Sequence, residues 1–251
     1  MCHIILSDVS YNFYHNLWPC RSMDRTQPCE GWDPGSTPGS VKFTTKIMSY
    51  QHEHIPMYDG ETWFNLLAKS FFLYHKKFSS KEQNHYQKYF PRSFLWKRIL
   101  DLGAGDGRIA KNFSGSWFES YYSVDIAEKI LNNGPSRTTK ILADISKPLL
   151  LDIHSFDLIF LFHTLVYIDE ISGVFVNIAQ YLDHRWICII AHHHERRPSV
   201  YQVNGQSFKI TTYFHSDQKI FQNAASVGLT CLQHSVDDTC FFILRHEWDQ
   251  W

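Results

Sequence analysis

The sequence has little that would mark a zinc site, a disulfide scaffold or a membrane protein. Its six cysteines include no C-x-x-C pair, which argues against zinc and against a disulfide framework and favours a reducing compartment. No apolar run reaches the length of about 20 residues that a membrane-spanning helix needs. The opening residues lack the basic start and the cleavage site of a signal peptide. We therefore expect a cytoplasmic protein without a membrane span.

An excess of charge of one sign is also missing. The chain has 24 Lys and Arg against 25 Asp and Glu, a net charge of −1. No global field draws such a protein onto nucleic acid or an anionic membrane, so a small-molecule partner is favoured and the oligomeric state stays open. With 251 residues, 44% of them hydrophobic, the chain has the material for one α/β domain with additions.

Residues 1–47 differ from the rest of the chain. The stretch 19–40 is rich in Pro, Gly and Ser and has no hydrophobic period, which predicts a disordered tail. A second hypothesis is that this segment is a spurious translation. Residues 35–38, Gly-Ser-Thr-Pro, back-translate as GGT-TCG-ACT-CCN, the form of a transfer-RNA T-arm. The reading frame would then extend through an upstream RNA gene, with Met48 as the true start.

A glycine-rich loop lies near the middle of the chain. After an apolar run that ends in Asp101, the chain turns through Gly103, Gly105 and Gly107 and continues with helical spacing, which predicts a strand, a tight loop and a helix. Glycine admits positive φ and lets the backbone approach a ligand, and the helix N-terminus favours an anionic group. The G-x-G-x-G spacing directly after an acid differs from the G-x-G-x-x-G of dinucleotide sites.

Three further apolar segments follow at the spacing of βαβ units: 121–125, 141–145 and 156–162. The first ends in Asp125 and the second contains Asp144. Together with residues 99–107, these segments resemble the class I S-adenosylmethionine-dependent methyltransferases, in particular the type 11 and type 25 methyltransferase domains. The resemblance covers about residues 57–245.

The resemblance implies S-adenosylmethionine as the cofactor, and it implies a role for each matching position. Asp101 and the loop backbone would hold the methionine end, Asp125 would take both ribose hydroxyls, and Asp144 would accept from the adenine amino group. Ile126 and Ile145 would pack on the purine. The implied cofactor-binding residues are Asp101, Gly103, Ala104, Gly105, Gly107, Asp125, Ile126, Asp144, Ile145, Phe162 and Tyr58.

Candidates for the acceptor side lie at the ends of the segment 156–162 and of a further predicted strand, residues 185–192. His163 follows the segment whose end should face the transferred methyl group, so it could serve as an acid or base, and a packed or capping histidine is the alternative. Tyr167 would line the acceptor pocket. His192 or His194 would contact the acceptor. No metal is expected, because consecutive residues of an extended chain alternate faces and three adjacent histidines therefore rarely converge on one ion.

The predicted architecture is an α/β, Rossmann-like, seven-stranded and mostly parallel sheet, with helices on both faces and an antiparallel C-terminal hairpin edge. Residues 48–96 are predicted to form a helical lid, and residues 97–251 the cofactor-binding domain. The function that follows is methyl transfer to a small molecule. An enzyme acting on RNA or protein, and a non-catalytic module that binds the cofactor, are the alternatives.

Overall fold

The computed structural model describes residues 57–68, 88, 95–112, 117–192, 200–203, 206–236 and 239–247. Its strands are β1 (Met57–Tyr58), β2 (Arg98–Leu102), β3 (Ser120–Asp125), β4 (Thr139–Leu142), β5 (Phe156–Phe162), β6 (Leu182–His192), β7 (Val200–Val203), β8 (Gln206–Ile210), β9 (Leu229–Val236) and β10 (Cys240–His246). Its helices are α1 (Gly60–Leu67), α2 (Arg108–Asn112), α3 (Glu128–Asn132), α4 (Ser172–Tyr181) and α5 (Asp217–Ser226), with a 3-10 turn at Leu165–Tyr167.

Seven strands form the central sheet, in the order β4-β3-β2-β5-β6-β10-β9. The first five pair in parallel, whereas β10 runs antiparallel to both of its neighbours. The predicted seven-stranded, mostly parallel fold with a C-terminal hairpin edge is therefore confirmed. Because parallel strands end at one edge, the residues that follow β2, β3, β4, β5 and β6 are brought to the same side of the sheet.

The alternation of side chains along each strand builds a core on both faces of the central sheet. In β2, Leu100 and Leu102 join the larger hydrophobic cluster, and Ile99 joins a second cluster with Tyr121 and Leu158. A parallel sheet that is apolar on both faces has to be covered on both faces, which the helices between the strands achieve. Asp101, the fourth of the five residues of this strand, is itself buried.

Three strands form a second, smaller sheet in the order β1-β8-β7. Met57 pairs in parallel with Lys209, and β7 joins β8 as an antiparallel hairpin. The sequence predicted helices alone for residues 48–96, so the structure adds a strand to this segment, followed by α1. Asp59 begins α1 by accepting a hydrogen bond from the Thr62 amide over 2.7 Å, which satisfies a donor of the first turn.

Several predicted segments lie outside the described residues. They include the tail at residues 1–47, most of the predicted helices between 69 and 94, and His194. In the part of the chain that the structure describes, no helix is long and apolar enough to cross a membrane.

Candidate cofactor site

The glycine loop, residues 103–107, connects β2 to α2 at the carboxyl edge of the central sheet. Gly103, Gly105 and Gly107 all have positive φ, between 55° and 73°. The amides of Gly103 and Ala104 both donate to the carbonyl of Val124, over 2.8 and 3.0 Å, which ties the loop to the end of β3. The loop is therefore fixed by backbone hydrogen bonds in a conformation that side chains disfavour.

The three glycines differ in what surrounds them. A Cβ at Gly103 would meet the side chain of Thr164 at 2.3 Å, and one at Gly107 would meet Cδ of Pro135 at 2.5 Å. Those two glycines are thus required by close packing. A Cβ at Gly105 would meet nothing within 4 Å, so the middle of the loop faces open space.

Asp125, the last residue of β3, points at the glycine loop. Its Oδ2 accepts a hydrogen bond from the Gly105 amide and its Oδ1 accepts one from the Ala127 amide, each over 2.8 Å. Each oxygen keeps a further lone pair for a ligand. Burial raises the pKa of Asp125, and the nearby backbone amides of Ala127, Gly105 and Ile126 oppose that rise.

Asp101 is more deeply buried than Asp125, with 1% of its surface exposed. Its Oδ2 accepts a hydrogen bond from the hydroxyl of Tyr121 over 2.8 Å. The pKa of Asp101 is raised to about 7: burial raises it most, the charges of Asp125 and Asp106 also raise it, and the Tyr121 hydrogen bond lowers it. The carboxyl is therefore balanced between its neutral and its charged form near neutral pH.

Basic side chains compensate only part of this acidic cluster. Asp106 is 3% exposed and pairs with Lys111 at 2.7 Å. Among the described residues, no ion pair joins a Lys, Arg or His to Asp101 or to Asp125. Buried carboxylates without a basic partner favour a cationic ligand, because its charge offsets the cost of their desolvation.

The predicted adenine contacts lie in two different environments. Ile126 is 39% exposed and follows Asp125 directly, so its side chain is available to a ligand. Asp144 uses Oδ1 to accept from the amide and the hydroxyl of Ser146, over 2.9 and 2.7 Å, which fixes the carboxyl after β4. Ile145 is 5% exposed and its side chain packs in the larger hydrophobic cluster, away from solvent.

Helix α1 packs beside α3, the helix that follows Asp125. The Lys129 amide at the start of α3 donates to Oδ1 of Asn65 over 2.9 Å, and Nδ2 of Asn133 donates to the carbonyl of Ala68 over 3.4 Å. Tyr58 precedes α1, and its ring lies 5.6 Å from that of Phe208 in the small sheet. The described part of the predicted lid is thus anchored next to the proposed ribose site.

His163 follows β5 in a left-handed conformation with φ 56°. Its amide donates to the carbonyl of Ala191 over 2.8 Å, which prolongs the pairing of β5 with β6 past the end of the strand. The ring of Phe162 lies between those of Phe160 and Phe241, at centroid distances of 5.7 and 6.2 Å. A non-glycine residue held in this conformation stores strain of the kind found at functional sites.

Tyr167 lies in the 3-10 turn that follows His163. Its ring meets that of Phe64 edge-on at 5.0 Å, and a Cβ at Gly60 would approach Cβ of Tyr167 to 3.2 Å. The start of α1 is therefore packed against the turn after β5. Tyr167 belongs to an aromatic cluster at the carboxyl edge, with its ring partly buried there.

His192, the last residue of β6, is fully buried. Its Nε2 lies 3.3 Å from the carbonyl of His215, and Nε2 of His215 lies 2.7 Å from the carbonyl of Ile168. A carbonyl cannot donate, so both Nε2 atoms carry the hydrogen. His215 thereby fastens the turn after β5 to the segment before α5. The sequence analysis did not identify His215, because its partners are backbone carbonyls that leave no motif.

Comparison with known proteins assigns the domain. The family model described as "Methyltransferase domain" matches residues 100–190. The structure resembles that of a DhpI–SAH complex, with 13% identity, a TM-score of 0.58, and coverage of 74% of this chain and 94% of that chain. Residues 100–190 therefore match a methyltransferase domain, and the fold that contains them resembles solved S-adenosylmethionine-dependent methyltransferases. The resemblance stated from the sequence, and the cofactor that it implied, are confirmed.

Other solved methyltransferases share this fold. The S-adenosylmethionine-dependent methyltransferase from Mesorhizobium loti is 17% identical, with a TM-score of 0.55 over 67% of this chain and 99% of that chain. Magnesium protoporphyrin IX methyltransferase from Synechocystis PCC 6803, with bound SAH, is 12% identical, with a TM-score of 0.53 over 74% and 97%. At such identities the likeness concerns the fold alone. A search of curated protein sequences found no match.

The residues at and beneath the glycine loop fit S-adenosylmethionine on two independent observations. The space over Gly105 is open where a side chain would fill it, so a ligand can approach the loop backbone closely. The buried carboxyls of Asp101 and Asp125 lack a basic partner among the described residues, which suits a ligand that carries a sulfonium and an ammonium group.

Proposed function

We propose that this chain transfers a methyl group from S-adenosylmethionine to a small-molecule acceptor. The observation that carries the proposal is the pairing of Asp125 with the open, left-handed Gly105, since it joins a bidentate acceptor to a backbone cradle. When bound, the cofactor supplies an activated methyl group on sulfur, so the protein needs neither a nucleophile nor a metal. Its residues have to bind the cofactor, orient the acceptor and shield the reaction from water.

We assign the cofactor contacts to the residues at the carboxyl edge. Asp125 would take the two ribose hydroxyls with the lone pairs that its backbone contacts leave, and the amides of the glycine loop would face the amino-acid end above Asp101. Asp144, with Oδ1 occupied by Ser146, would present Oδ2 to the adenine amino group. Phe162 and Tyr58 would border the cofactor.

The two isoleucines would contribute differently to the purine site. Ile126 has an exposed side chain that can cover one face of the purine. The side chain of Ile145 packs in the core, so a contact from Ile145 would come from its backbone. The adenine would thus be recognised by one apolar side chain, one carboxylate and the main chain that follows β4.

On the acceptor side, we propose His163 as the general base. It would take the proton that a hydroxyl or amine acceptor loses as that atom bonds to the methyl carbon and the sulfur–methyl bond breaks. Holding the acceptor in line is worth effective molarities of about 10⁵–10⁸ M in favourable cases. Tyr167 would line the acceptor pocket, and His192 or His194 would contact the acceptor.

A small acceptor is favoured by the balance of charge and by the name of one structural neighbour. The net charge of −1 offers no general attraction for RNA. One structural neighbour, magnesium protoporphyrin IX methyltransferase, is named for a small molecule. The cysteines that the structure describes, Cys188, Cys231 and Cys240, are free thiols, consistent with the cytoplasmic location that we propose.

The test combines calorimetry with a labelled-methyl assay. We expect S-adenosylmethionine to bind and NAD not to bind, because the loop spacing is that of a methyltransferase. Incubation with methyl-labelled cofactor and cell extract should label the metabolite fraction. Label in RNA or protein would support the alternative acceptors instead. Tight binding with no label in any fraction would indicate a non-catalytic module, and absence of binding would refute the proposal.

A further inference from the structure

We infer that Tyr121 is a positioning residue whose hydroxyl orients the buried carboxyl of Asp101. That carboxyl receives the cationic amino-acid end of the cofactor and loses a proton when the cofactor binds. The inference rests on the proposed function, because it assumes that S-adenosylmethionine occupies the glycine loop. It adds a residue that lies outside the loop and outside the acids at the strand ends. It also adds a measurable proton that accompanies binding.

The geometry places Tyr121 and Asp101 on neighbouring strands with their polar atoms in contact. Asp101 pairs in register with Ser123 of β3, so Tyr121, two residues earlier, reaches it diagonally on the same face. Tyr121 is 2% exposed and Asp101 is 1% exposed. The hydroxyl donates to Oδ2 over 2.8 Å, which fixes the orientation of the carboxyl and leaves Oδ1 for another group.

The charged groups around Asp101 do not neutralise it. Asp125 and Asp106 are negative neighbours, and Lys111 is held by Asp106 at 2.7 Å. Arg137 lies near Tyr121, where it donates to the carbonyl of Ala110 and stacks on a phenylalanine ring. The partner that Asp101 does have, a phenol, is itself held neutral because burial and the carboxylate raise the pKa of Tyr121.

Binding of a cation should therefore remove a proton from Asp101. In the free protein, burial raises the pKa of Asp101 to about 7, so the carboxyl is about half protonated at pH 7. An ammonium group next to Oδ1 favours the carboxylate, and the proton leaves to the buffer. Release of about half a proton is expected at pH 7, rising towards one at pH 6.

The experiment measures this proton by calorimetry on the full chain. Titrations with S-adenosylmethionine at pH 6 and pH 7, in buffers with different ionisation enthalpies, give the number of protons released. The comparison ligand is 5′-methylthioadenosine, which keeps the adenosine and a methyl thioether but lacks the amino-acid end. We expect it to bind through the nucleoside contacts and to release no proton.

Three outcomes separate this inference from the proposed function. Proton release with S-adenosylmethionine alone supports the inference. Binding of S-adenosylmethionine without proton release, or equal release with 5′-methylthioadenosine, overturns the inference and leaves the proposed function standing. Failure of S-adenosylmethionine to bind overturns both.

Variants test Tyr121 itself. In Tyr121→Phe, Asp101 loses the donor that stabilises its charged form, so its pKa rises; a rise of one unit would increase the protons released at pH 7 and weaken binding about fivefold. Asp101→Asn should abolish the release. Tyr122→Phe is the matched control: it loses a hydroxyl bonded to Asp152 on the other face of the sheet and should leave the proton number unchanged. An unchanged proton number in Tyr121→Phe would overturn the role of Tyr121.

Discussion

The backbone amide of Gly105 donates a hydrogen bond to Oδ2 of Asp125 across 2.8 Å. This contact joins the loop after β2 to the end of β3, which are the two segments on which the cofactor assignment depends. It orients a buried carboxylate towards the one glycine of the loop that faces open space. Each of the following predictions tests a consequence of this arrangement.

Gly105→Ala should weaken S-adenosylmethionine binding at least about tenfold, because the new methyl group enters the space that the ligand needs. Alanine in a left-handed conformation also costs roughly 1–2 kcal/mol of stability. Gly228→Ala is the matched control, since Gly228 follows α5, has φ 73°, and a Cβ there would meet nothing within 4 Å. Both variants should lose similar stability in urea, and only Gly105→Ala should lose affinity. If Gly105→Ala and Gly228→Ala bind S-adenosylmethionine with equal affinity, the ligand does not approach the backbone at Gly105.

Asp125→Asn should lose about 2 kcal/mol of cofactor binding, or roughly thirtyfold in affinity, because the amide replaces one acceptor oxygen by a donor. Asp157→Asn provides the comparison at the opposite end of the strands. Asp157 is also buried and also accepts a backbone amide, from Arg98 over 2.8 Å. Titration calorimetry should find normal affinity in Asp157→Asn. If the two variants bind alike, Asp125 does not hold the ribose.

Asp101→Asn should make the cofactor-free protein more stable at pH 8 than the natural chain, and about as stable near pH 4. The folded pKa of about 7 lies above the value of about 3.9 in an unfolded chain, so stability is lost as pH rises from about 4 to about 7. The difference in unfolding free energy could reach roughly 4 kcal/mol. Urea unfolding at both pH values measures it, and a variant that is less stable at pH 8 would contradict the buried-acid argument.

His163→Asn should lower methyl transfer by about 10²–10⁴-fold if the imidazole is the general base. Asparagine tolerates the left-handed conformation that His163 adopts, so the fold should persist. Calorimetry with S-adenosylmethionine should give an unchanged affinity, which separates chemistry from binding. Turnover that stays within about threefold of the natural chain would assign His163 to packing.

Much of the fold could be predicted because its strands are buried on both faces. Strand β5 has the predicted bounds, 156–162, since a continuous apolar run between polar turns is typical of a parallel strand. Helix α5 begins after Ser216, a residue type that is preferred as an N-cap, and the Ser216 hydroxyl accepts a hydrogen bond from the amide of Lys219. Local patterns sufficed for both elements.

Contacts between distant residues could not be predicted in the same way. The bond from Tyr121 to Asp101 depends on the register of two strands, and no local pattern encodes it. The two residues of β1 are too few to show a period, and their partner β8 lies much later in the chain. Ile145 comes just after β4, where alternation no longer tells which face a side chain takes, and it turns to the core.

The pairing of Met57 with Lys209 also bears on the order in which the protein is made. A nascent chain that has left the ribosome through β6 already contains the glycine loop and both acids, but it does not yet contain the strand that β1 needs. Closure of the small sheet thus awaits late synthesis. Stalled chains of increasing length should acquire protease resistance in the N-terminal segment only after β8 has emerged.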